Sequence, residues 1–246
     1  MAGQIVDTPV ARDFVSEVLA RVAPEELASI ADSAQAKSDA VRSLLTDGAA
    51  RLGRPDLRRL LRSSFVTRRR ADAILDSVGH QELGAAIDAL LQGWGDLHER
   101  LSPLTDILHA FPEAAADLPF ELLRFGEPER WWPWTRWMWD PRSDTGALRL
   151  LIVDEVDLFG ATREDTYHRV GEAMAVVEGT ARAAGLGAIT GGQFGVDVFL
   201  GCVYGVYMYT VLRLRMSQEF NRIVPELPEL VRRLLGVHNP EVRSCQ

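Results

Sequence analysis

The residues best suited to recognition lie in one tryptophan-rich segment. Five of the six tryptophans fall within nine residues, and arginines are interleaved with them. Indole rings bury a large apolar area and guanidinium groups stack on them, so such a segment forms a core corner, a protein interface or a platform for nucleobases. Tryptophan and arginine also dominate interface energetics. We predict a partner-binding surface, with burial in the core as the competing interpretation. The residues are Trp131, Trp132, Trp134, Arg136, Trp137 and Trp139.

A second candidate is a basic stripe between residues 51 and 70. It contains eight arginines and one acid, Asp56, for a net charge of +7, so the rest of the chain, at -8 overall, sums to -15. Clustered arginines bind a phosphate backbone, dock an acidic protein or pair with the protein's own carboxylates. The acidity of the remaining chain repels nucleic acid, which disfavours that partner. The stripe is represented by Arg58, Arg59, Arg62, Arg68, Arg69 and Arg70.

Two DxxH pairs suggest a metal site. On a helix this spacing places a carboxylate and an imidazole on one face, as in di-metal carboxylate bundles. A complete site also needs bridging carboxylates from two other helices, for which the sequence offers only loose candidates. Surface ion pairing is the preferred interpretation, and no metal is predicted. The residues concerned are Asp106, His109, Glu164, Asp165, His168 and Glu172.

No complete catalytic or cofactor-binding motif is present. Residues 150–155 have the apolar run and acidic end of a Walker B strand, but the chain's only lysine, Lys37, lacks the glycine-rich loop that cradles phosphate. The glycines between residues 185 and 195 follow a predicted helix, whereas a dinucleotide-binding turn follows a strand. A GxSxG nucleophile motif is also missing. The sequence therefore leans towards a non-catalytic protein without a cofactor.

Helical periodicity dominates the segments that must position these residues. Apolar residues recur at spacings of three and four after Pro24, which suits the first turn of a helix. Thr67 and Thr162 are candidate N-caps, the latter in a capping box, and Gly79 and Gly236 are candidate helix stops. The predicted helices cover residues 24–52, 55–64, 67–78, 80–91, 162–184, 194–224 and 227–235.

The middle of the chain interrupts this pattern. Six prolines fall at intervals of five to nine residues between residues 102 and 142, which predicts only short helical pieces. Residues 148–153 are the best strand candidate. We predict a mainly α-helical, compact, bundle-like fold with an irregular proline- and tryptophan-rich middle and at most one or two short strands. Residues 1–93 are predicted to form an N-terminal helical subdomain with the basic stripe and 94–246 a C-terminal helical domain, unless the two are one continuous domain.

Composition and charge favour a globular protein of the cytoplasm. Of the 246 residues 47% are hydrophobic and 25% charged. The first seven residues lack an export signal, and the longest uncharged run, of 15 residues, is too short to cross a bilayer. Gly201 and Gly205 allow close helix packing, within the chain or against a second copy. The hypothesis is a cytoplasmic accessory protein, an adaptor or assembly factor, that docks a protein partner. Nucleic-acid binding and a helical metalloenzyme are the alternatives.

Overall fold

The computed structural model describes residues 5–186, 192–215 and 225–237, and these ranges are mainly helical. They contain ten α-helices and no β-sheet, which confirms the predicted fold class. The helices are α1 (Thr8–Arg21), α2 (Pro24–Leu44), α3 (Arg54–Arg62), α4 (Ala71–Val78), α5 (His80–Gln92), α6 (Leu97–Ile107), α7 (Pro112–Gly126), α8 (Arg163–Ala183), α9 (Gly195–Arg215) and α10 (Leu227–Leu234).

Most predicted helix ends are confirmed where local capping chemistry defines them. Pro24 opens α2, Gly79 ends α4 with a φ of 83°, and Gly236 follows α10 with a φ of 67°. Thr162 caps α8 in the predicted capping box. Its hydroxyl accepts from the backbone N–H of Asp165 at 3.0 Å, and the Asp165 carboxylate accepts from the Thr162 N–H at 3.2 Å. Neighbouring residues satisfy these termini, so local sequence is enough to place them.

Two predicted boundaries are wrong. Helix α2 ends at Leu44 instead of near residue 52, because the chain turns at Gly48, which has a φ of 91°. Thr67 does not cap α4, which begins only at Ala71. The Thr67 hydroxyl instead donates to the Leu61 carbonyl at 2.5 Å and ties the turn back to the end of α3. A threonine hydroxyl bonds nearby backbone groups in several ways, and a local pattern does not distinguish them.

The prediction that the prolines of the middle segment allow only short helices is wrong. Pro103 lies inside α6 and Pro119 inside α7, and α7 still runs for 15 residues. Eleven of those residues are buried, so tertiary packing outweighs the roughly 3 kcal/mol that an internal proline costs a helix. Between α7 and α8, residues 127–162 contain turns and one short 3-10 helix but no α-helix. The predicted irregular middle is therefore confirmed for residues 127–142.

The predicted strand over residues 148–153 is also wrong. Leu148–Leu150 forms a 3-10 turn, and only Ile152 makes a single antiparallel bridge, to Val6 just before α1. On either side of the bridge, Asp7 N–H donates to the Leu151 carbonyl at 2.9 Å and Val153 N–H donates to the Ile5 carbonyl at 3.0 Å. The apolar character of residues 148–153 reflects the burial of Leu148, Leu151 and Ile152. A short apolar run is buried in a turn as well as in a strand, so its pattern does not specify a sheet.

Helix α9 packs closely against α10 through two glycines. A β-carbon added at Gly201 would lie 2.9 Å from Cγ1 of Val231, and one added at Gly205 would overlap the side chain of Leu227. Both glycines therefore face the chain's own α10. Of the predicted helix 194–224, residues 216–224 lie outside the described ranges. None of the helices in those ranges has the combination of length and apolar character that a membrane span needs.

We expect Gly205→Ala to lower the free energy of unfolding by about 1–3 kcal/mol, because the added methyl group overpacks the contact with Leu227. Gly179→Ala is the matched control, since Gly179 is exposed on α8 and nothing lies within 4 Å of an added β-carbon. Alanine's higher helix propensity should stabilise that variant by about 0.5–1 kcal/mol. Urea denaturation followed by circular dichroism measures both. Stabilisation by both substitutions would contradict close packing at Gly205.

Helices from both halves of the sequence contribute to one hydrophobic core. Helix α2 packs against α7, α9 and α10, and α1 packs against α8 and α9. The division at residue 93 stays a prediction. Helix α7 has a central position in the fold, because the irregular segment after it folds back along its surface and encloses a cleft.

Candidate functional site

The tryptophan-rich segment buries most of its indole rings. Trp134, Trp137 and Trp139 are only 7%, 8% and 0% exposed. The indole N–H of Trp134 donates to the Trp139 carbonyl at 3.1 Å, and that of Trp139 donates to Asp144 at 2.8 Å. These three rings lie in the core, as the competing interpretation expects, and docking of a partner by them stays a prediction. The most exposed tryptophan, at 96%, is Trp94, which lies outside the cluster in sequence.

Trp131 and Trp132 are half-buried and make contacts within the chain. The guanidinium groups of Arg100 and Arg130 lie 5.1 and 5.6 Å from the ring centroid of Trp131. The backbone N–H of Trp132 donates to the Tyr167 hydroxyl at 2.7 Å. The protein's own arginines therefore use the Trp131 ring that the sequence predicts to stack on a partner.

The segment also lines a cleft of about 650 Å³, which we name the arginine cleft. It lies between the end of α6, the first half of α7, the start of α8 and residues 134–142. Its apolar wall includes Phe120, Trp134 and Phe159. Its charged lining residues are Asp106, Asp117, Arg136, Asp140, Arg142 and Arg163. Cavities of this size with an apolar wall and a few polar groups are typical of small-molecule sites.

Aromatic contacts hold the apolar wall in place. The Phe120 ring lies 4.7 Å from that of Trp134 and stacks on Tyr167 at 5.3 Å, centroid to centroid. The Phe159 ring meets Trp139 edge-on at 5.1 Å. Packed aromatic pairs of this kind have few alternative rotamers, so the wall is formed before any ligand arrives.

Arg163, the first residue of α8, is the cation of the cleft that forms no ion pair in the described ranges. Its guanidinium lies 4.9 Å from the ring centroid of Phe120. It donates to the hydroxyl of Thr105 at 3.3 Å and to the carbonyls of Ala115 and Ala116 at 3.4 and 3.1 Å. All three acceptors are neutral, and no carboxylate in the described ranges lies within 4.0 Å. Burial lowers the pKa of Arg163, but an arginine remains charged at neutral pH.

Four of the five other charges of the cleft form two ion pairs, and the fifth, Asp106, is exposed and pairs with no cation in the described ranges. Arg136 donates its backbone N–H and its Nε–H to Asp117 Oδ1, both at 3.1 Å. Arg142 likewise donates its backbone N–H and Nε–H to Asp140 Oδ1, at 3.0 and 3.4 Å. Asp117 is buried and Asp140 is half-buried at the mouth. Each pair is internally neutral, so the pairs hold residues 136–142 in position without giving the cleft a net charge.

The pKa values of the two aspartates shift in opposite directions. Burial raises the pKa of Asp117 to about 6, although the hydrogen bonds and charge of Arg136 offset part of the rise. Burial also raises the pKa of Asp140, but the hydrogen bonds and charge of Arg142 outweigh this and leave it below its usual range. A buried acid that titrates near neutral pH makes the stability of the cleft depend on pH.

We expect Asp117→Asn to become more stable relative to the wild type as pH rises. Between the ordinary pKa of 3.8 and the folded value of about 6, the folded chain keeps a proton on Asp117 that the unfolded chain has lost, so wild-type stability falls with rising pH. The relative gain for asparagine, which does not titrate, should reach at most about 3 kcal/mol. Urea denaturation at pH 4.5 to 7.5 measures it. Asp140→Asn should show almost no pH dependence over this range, because the lowered pKa of Asp140 confines its titration to lower pH. An equal gain for both variants would contradict the assignment.

Two further ion pairs lie on α7 in the protein interior. Lys37 donates to Glu121 at 2.6 Å, and Arg124 donates to Asp197 at 2.7 and 3.3 Å. Burial lowers the pKa of Lys37 and raises that of Asp197, and the partner's charge offsets part of each change. These pairs connect α7 to α2 and α9. Both pairs lie deep in the interior, where Lys37 and Asp197 are only 1% exposed.

The basic stripe is partly neutralised by acids located after it in the sequence. Arg58 donates to Asp72 at 2.7 Å and Arg54 to Asp76 at 2.5 Å, and both acids lie on α4. Charge counted over residues 51–70 alone misses these acids. Extending the count by one predicted helix would have included them.

The remaining arginines of the stripe differ in exposure. Arg59 lies 3.6 Å from Asp56, and Arg62 and Arg68 are half-buried. The guanidinium of Arg68 lies 4.9 Å from the ring centroid of Phe65, which is 39% exposed. Among the described residues, three exposed arginines of the stripe have no carboxylate within 4.0 Å, and they are Arg51, Arg69 and Arg70.

The DxxH residues do not come together. His109 Nδ1 lies 2.8 Å from the Asp106 carbonyl oxygen, and His168 Nε2 lies 3.8 Å from Glu164. Glu172 is exposed on α8. Within residues 5–186, 192–215 and 225–237, no three histidine, cysteine or acidic side chains are grouped to hold a metal ion. The metalloenzyme alternative has no supporting geometry in this part of the chain.

Of the residues predicted from the sequence to bind a partner, Trp134 and Arg136 line the arginine cleft. Most of the lining residues were not predicted, among them Asp117, Phe159 and Arg163, because they come from α7, from the segment before α8 and from α8 and share no local motif. The only local signal was the capping box, which places Arg163 at the first turn of a helix. Comparison of the chain with known protein families, curated proteins and solved structures finds no match.

Proposed function

We propose that this chain is a non-catalytic binding protein and that the arginine cleft is its binding site. One observation carries the proposal: a preformed aromatic wall and an arginine without an acidic partner line the same opening of about 650 Å³. Ligand sites combine a mostly apolar surface with a few polar groups that fix orientation. The predicted accessory role and cytoplasmic location remain part of this proposal.

The occupant that suits this cleft is a small molecule with an aromatic ring. Of the aromatic rings that line the cleft, Phe159 is 43% exposed, whereas Trp134 and Phe120 are 7% and 1% exposed. Aromatic ligands pack on an exposed ring in offset or edge-on arrangements. The tryptophan-rich segment contributes by forming one side of the cleft, since its own rings are mostly buried. This replaces the sequence-based hypothesis that the segment docks a partner with its whole surface.

The test uses N-phenyl-1-naphthylamine, a neutral aromatic probe whose fluorescence rises in apolar surroundings. We expect saturable binding by the folded wild type. Ala116→Phe should weaken binding at least about tenfold, because Ala116 is half-exposed on α7 and lines the cleft. Ala175→Phe, at an exposed position of α8 outside the cleft, is the matched control and should bind like the wild type. Absence of saturable binding, or equal binding by all three proteins, would overturn the proposal.

A second candidate function is docking of an acidic protein segment on the basic stripe. It is favoured by the exposure of Arg51, Arg69 and Arg70 without acidic partners in the described ranges and by the exposed ring of Phe65 beside them in sequence. A short acidic segment needs only a few cations, whereas DNA presents a continuous row of phosphates to a chain with a net charge of -8.

Titration of a fluorescent glutamate-rich peptide and of a short DNA duplex distinguishes these partners. We expect the peptide to bind at low salt and Arg69→Gln with Arg70→Gln to weaken it. Arg130→Gln, which removes an exposed arginine outside the stripe, should have little effect. Tighter binding of the duplex with a steep salt dependence would favour the nucleic-acid alternative instead. Binding of neither would remove the stripe as a partner site.

A further inference from the structure

We infer that the arginine cleft binds a free aromatic monocarboxylate, with its ring against the apolar wall and its carboxylate on Arg163 and the Thr135 hydroxyl. This inference rests on the proposed function, because it names the ligand class of the same cleft. Its basis is the absence of a carboxylate beside Arg163 in the described ranges, the unused hydrogen-bond donors and the apolar wall.

The surroundings of Arg163 favour an anion beside it. Asp117 is paired with Arg136 and Asp140 with Arg142, so these four side chains add no net charge. The two other charges of the lining are Asp106, an exposed carboxylate that pairs with no cation in the described ranges, and Arg163, which has only neutral oxygens as hydrogen-bond partners. A ligand anion would compensate this charge. A second negative charge on the ligand would face the carboxylates of the lining instead, which favours a monoanion over a phosphate or a dicarboxylate.

Arg163 also has unused hydrogen-bond donors. A guanidinium carries five N–H groups, and three of them reach Thr105, Ala115 and Ala116. Among the residues described, the Nε–H and one Nη1–H have no acceptor. Hydrogen bonds from a cation to a carboxylate are stronger than those to neutral oxygens, so a ligand carboxylate is the acceptor that gains most here.

Thr135 provides an independent indication of a polar ligand group. Its hydroxyl is buried and has no hydrogen-bond partner in the described part of the chain, and the residue lies between the cleft and a smaller interior cavity, lining both. Buried polar groups are normally satisfied, and an orphan of this kind requires a partner. A carboxylate that accepts from Arg163 with one oxygen has a second oxygen to accept from this hydroxyl.

The apolar wall determines the rest of the ligand. Phe120 lies beneath the guanidinium of Arg163 and within 4.7 Å of Trp134, centroid to centroid, so the cationic and aromatic parts of the cleft are contiguous. A carboxylate attached directly to an aromatic ring matches this arrangement. An aliphatic acid would reach Arg163 but would lose the ring contacts.

The test compares 2-naphthoate with 2-naphthamide, which has the same shape without the charge, by isothermal titration calorimetry. We expect the wild type to bind the carboxylate about tenfold tighter or more. Arg163→Met should bind both compounds about as the wild type binds the amide, and Thr135→Val should weaken naphthoate binding severalfold. Arg169→Met is the matched control, because Arg169 is an exposed arginine of α8 that lies 3.8 Å from Asp157 and does not line the cleft.

The outcomes separate this inference from the proposed function. Equal binding of the acid and the amide by the wild type would overturn the carboxylate assignment and leave the cleft as a site for neutral aromatic ligands. Binding of neither compound, together with no binding of the neutral naphthylamine probe, would overturn both. Circular dichroism checks that Arg163→Met folds. If it does not, Thr135→Val and the comparison of acid with amide in the wild type still decide the question.

Discussion

Lys37→Met is expected to lower the free energy of unfolding by about 3–5 kcal/mol, because it leaves Glu121 as an unpaired carboxylate in the interior. The Lys37 ammonium group donates to Glu121 at 2.6 Å and to the carbonyls of Ser63 and Leu235, both at 2.8 Å. Its three N–H groups thus connect α2 to α7, to the end of α3 and to the turn after α10. Guanidinium denaturation followed by tryptophan fluorescence measures the loss.

Two further variants separate charge from packing. Arg42→Met removes a cation from the exposed side of the same helix, where Arg42 pairs with Asp39 at 3.1 Å, and should cost less than about 1 kcal/mol. Adding Glu121→Gln to Lys37→Met removes the stranded charge while keeping an acceptor for the Ser64 hydroxyl, so it should recover part of the loss. A double variant no more stable than Lys37→Met would show that the lost bonds to the two carbonyls, and not the charge, account for the destabilisation.

The sequence did contain a signal for this lysine. Lys37 lies three residues after Ala34 and four before Val41, both on the buried stripe of α2. A lone lysine on an apolar stripe is either exposed by a local irregularity or paired inside the core. What the sequence lacked was the partner, because Glu121 is 84 residues away and on another helix. Position on the stripe was predictable, and the ion pair was not.

Helix ends likewise were predicted correctly where neighbouring residues determine them and wrongly where distant packing does. Thr162 and Gly236 were predicted correctly, since each is satisfied within one turn of the chain. Pro119 was judged a helix breaker because its local cost is certain, yet α7 continues through it. Packing of α7 against α2, α5 and α6 compensates for the cost of Pro119. The residues next to Pro119 in sequence do not reveal that packing.

The candidate site was the least predictable part. The tryptophan-rich segment was identified correctly as the unusual feature, but composition does not say which face of a ring meets solvent. Trp139 is fully buried, whereas Phe159, which no sequence pattern singles out, stands at the mouth of the cleft. The pairing of Arg136 with Asp117 and the absence of a carboxylate beside Arg163 in the described ranges depend on how three helices converge. Such a charge balance is a property of the folded arrangement and not of any motif.

Arg124→Lys keeps the positive charge and is nevertheless expected to lower the free energy of unfolding by about 2–4 kcal/mol. Arg124 uses all five N–H donors. Nε and Nη2 donate to Asp197, Nη2 also donates to the Gln193 carbonyl, and Nη1 donates to the carbonyls of Pro128 and Trp131 at 2.7 and 2.9 Å. Lysine has three donors, so at least two of these acceptors lose their partner inside the protein. Thermal and urea denaturation measure the effect.

The same substitution should also weaken binding at the arginine cleft, and this links the interior to the proposed site. Arg124 fixes the backbone of Pro128 and Trp131, at the start of the segment that places Trp134 in the cleft wall. Arg130→Lys is the matched control, because this exposed arginine has one ion pair in the described ranges, with Glu127 at 3.1 Å, and lysine can keep both that pair and the contact with the Trp131 ring. It should stay within about 0.5 kcal/mol of the wild type. If Arg124→Lys lost stability but bound the naphthylamine probe normally, the segment would be held by burial of its tryptophans and not by Arg124. Loss of both would show that the buried Arg124 pair positions the wall that contacts the ligand.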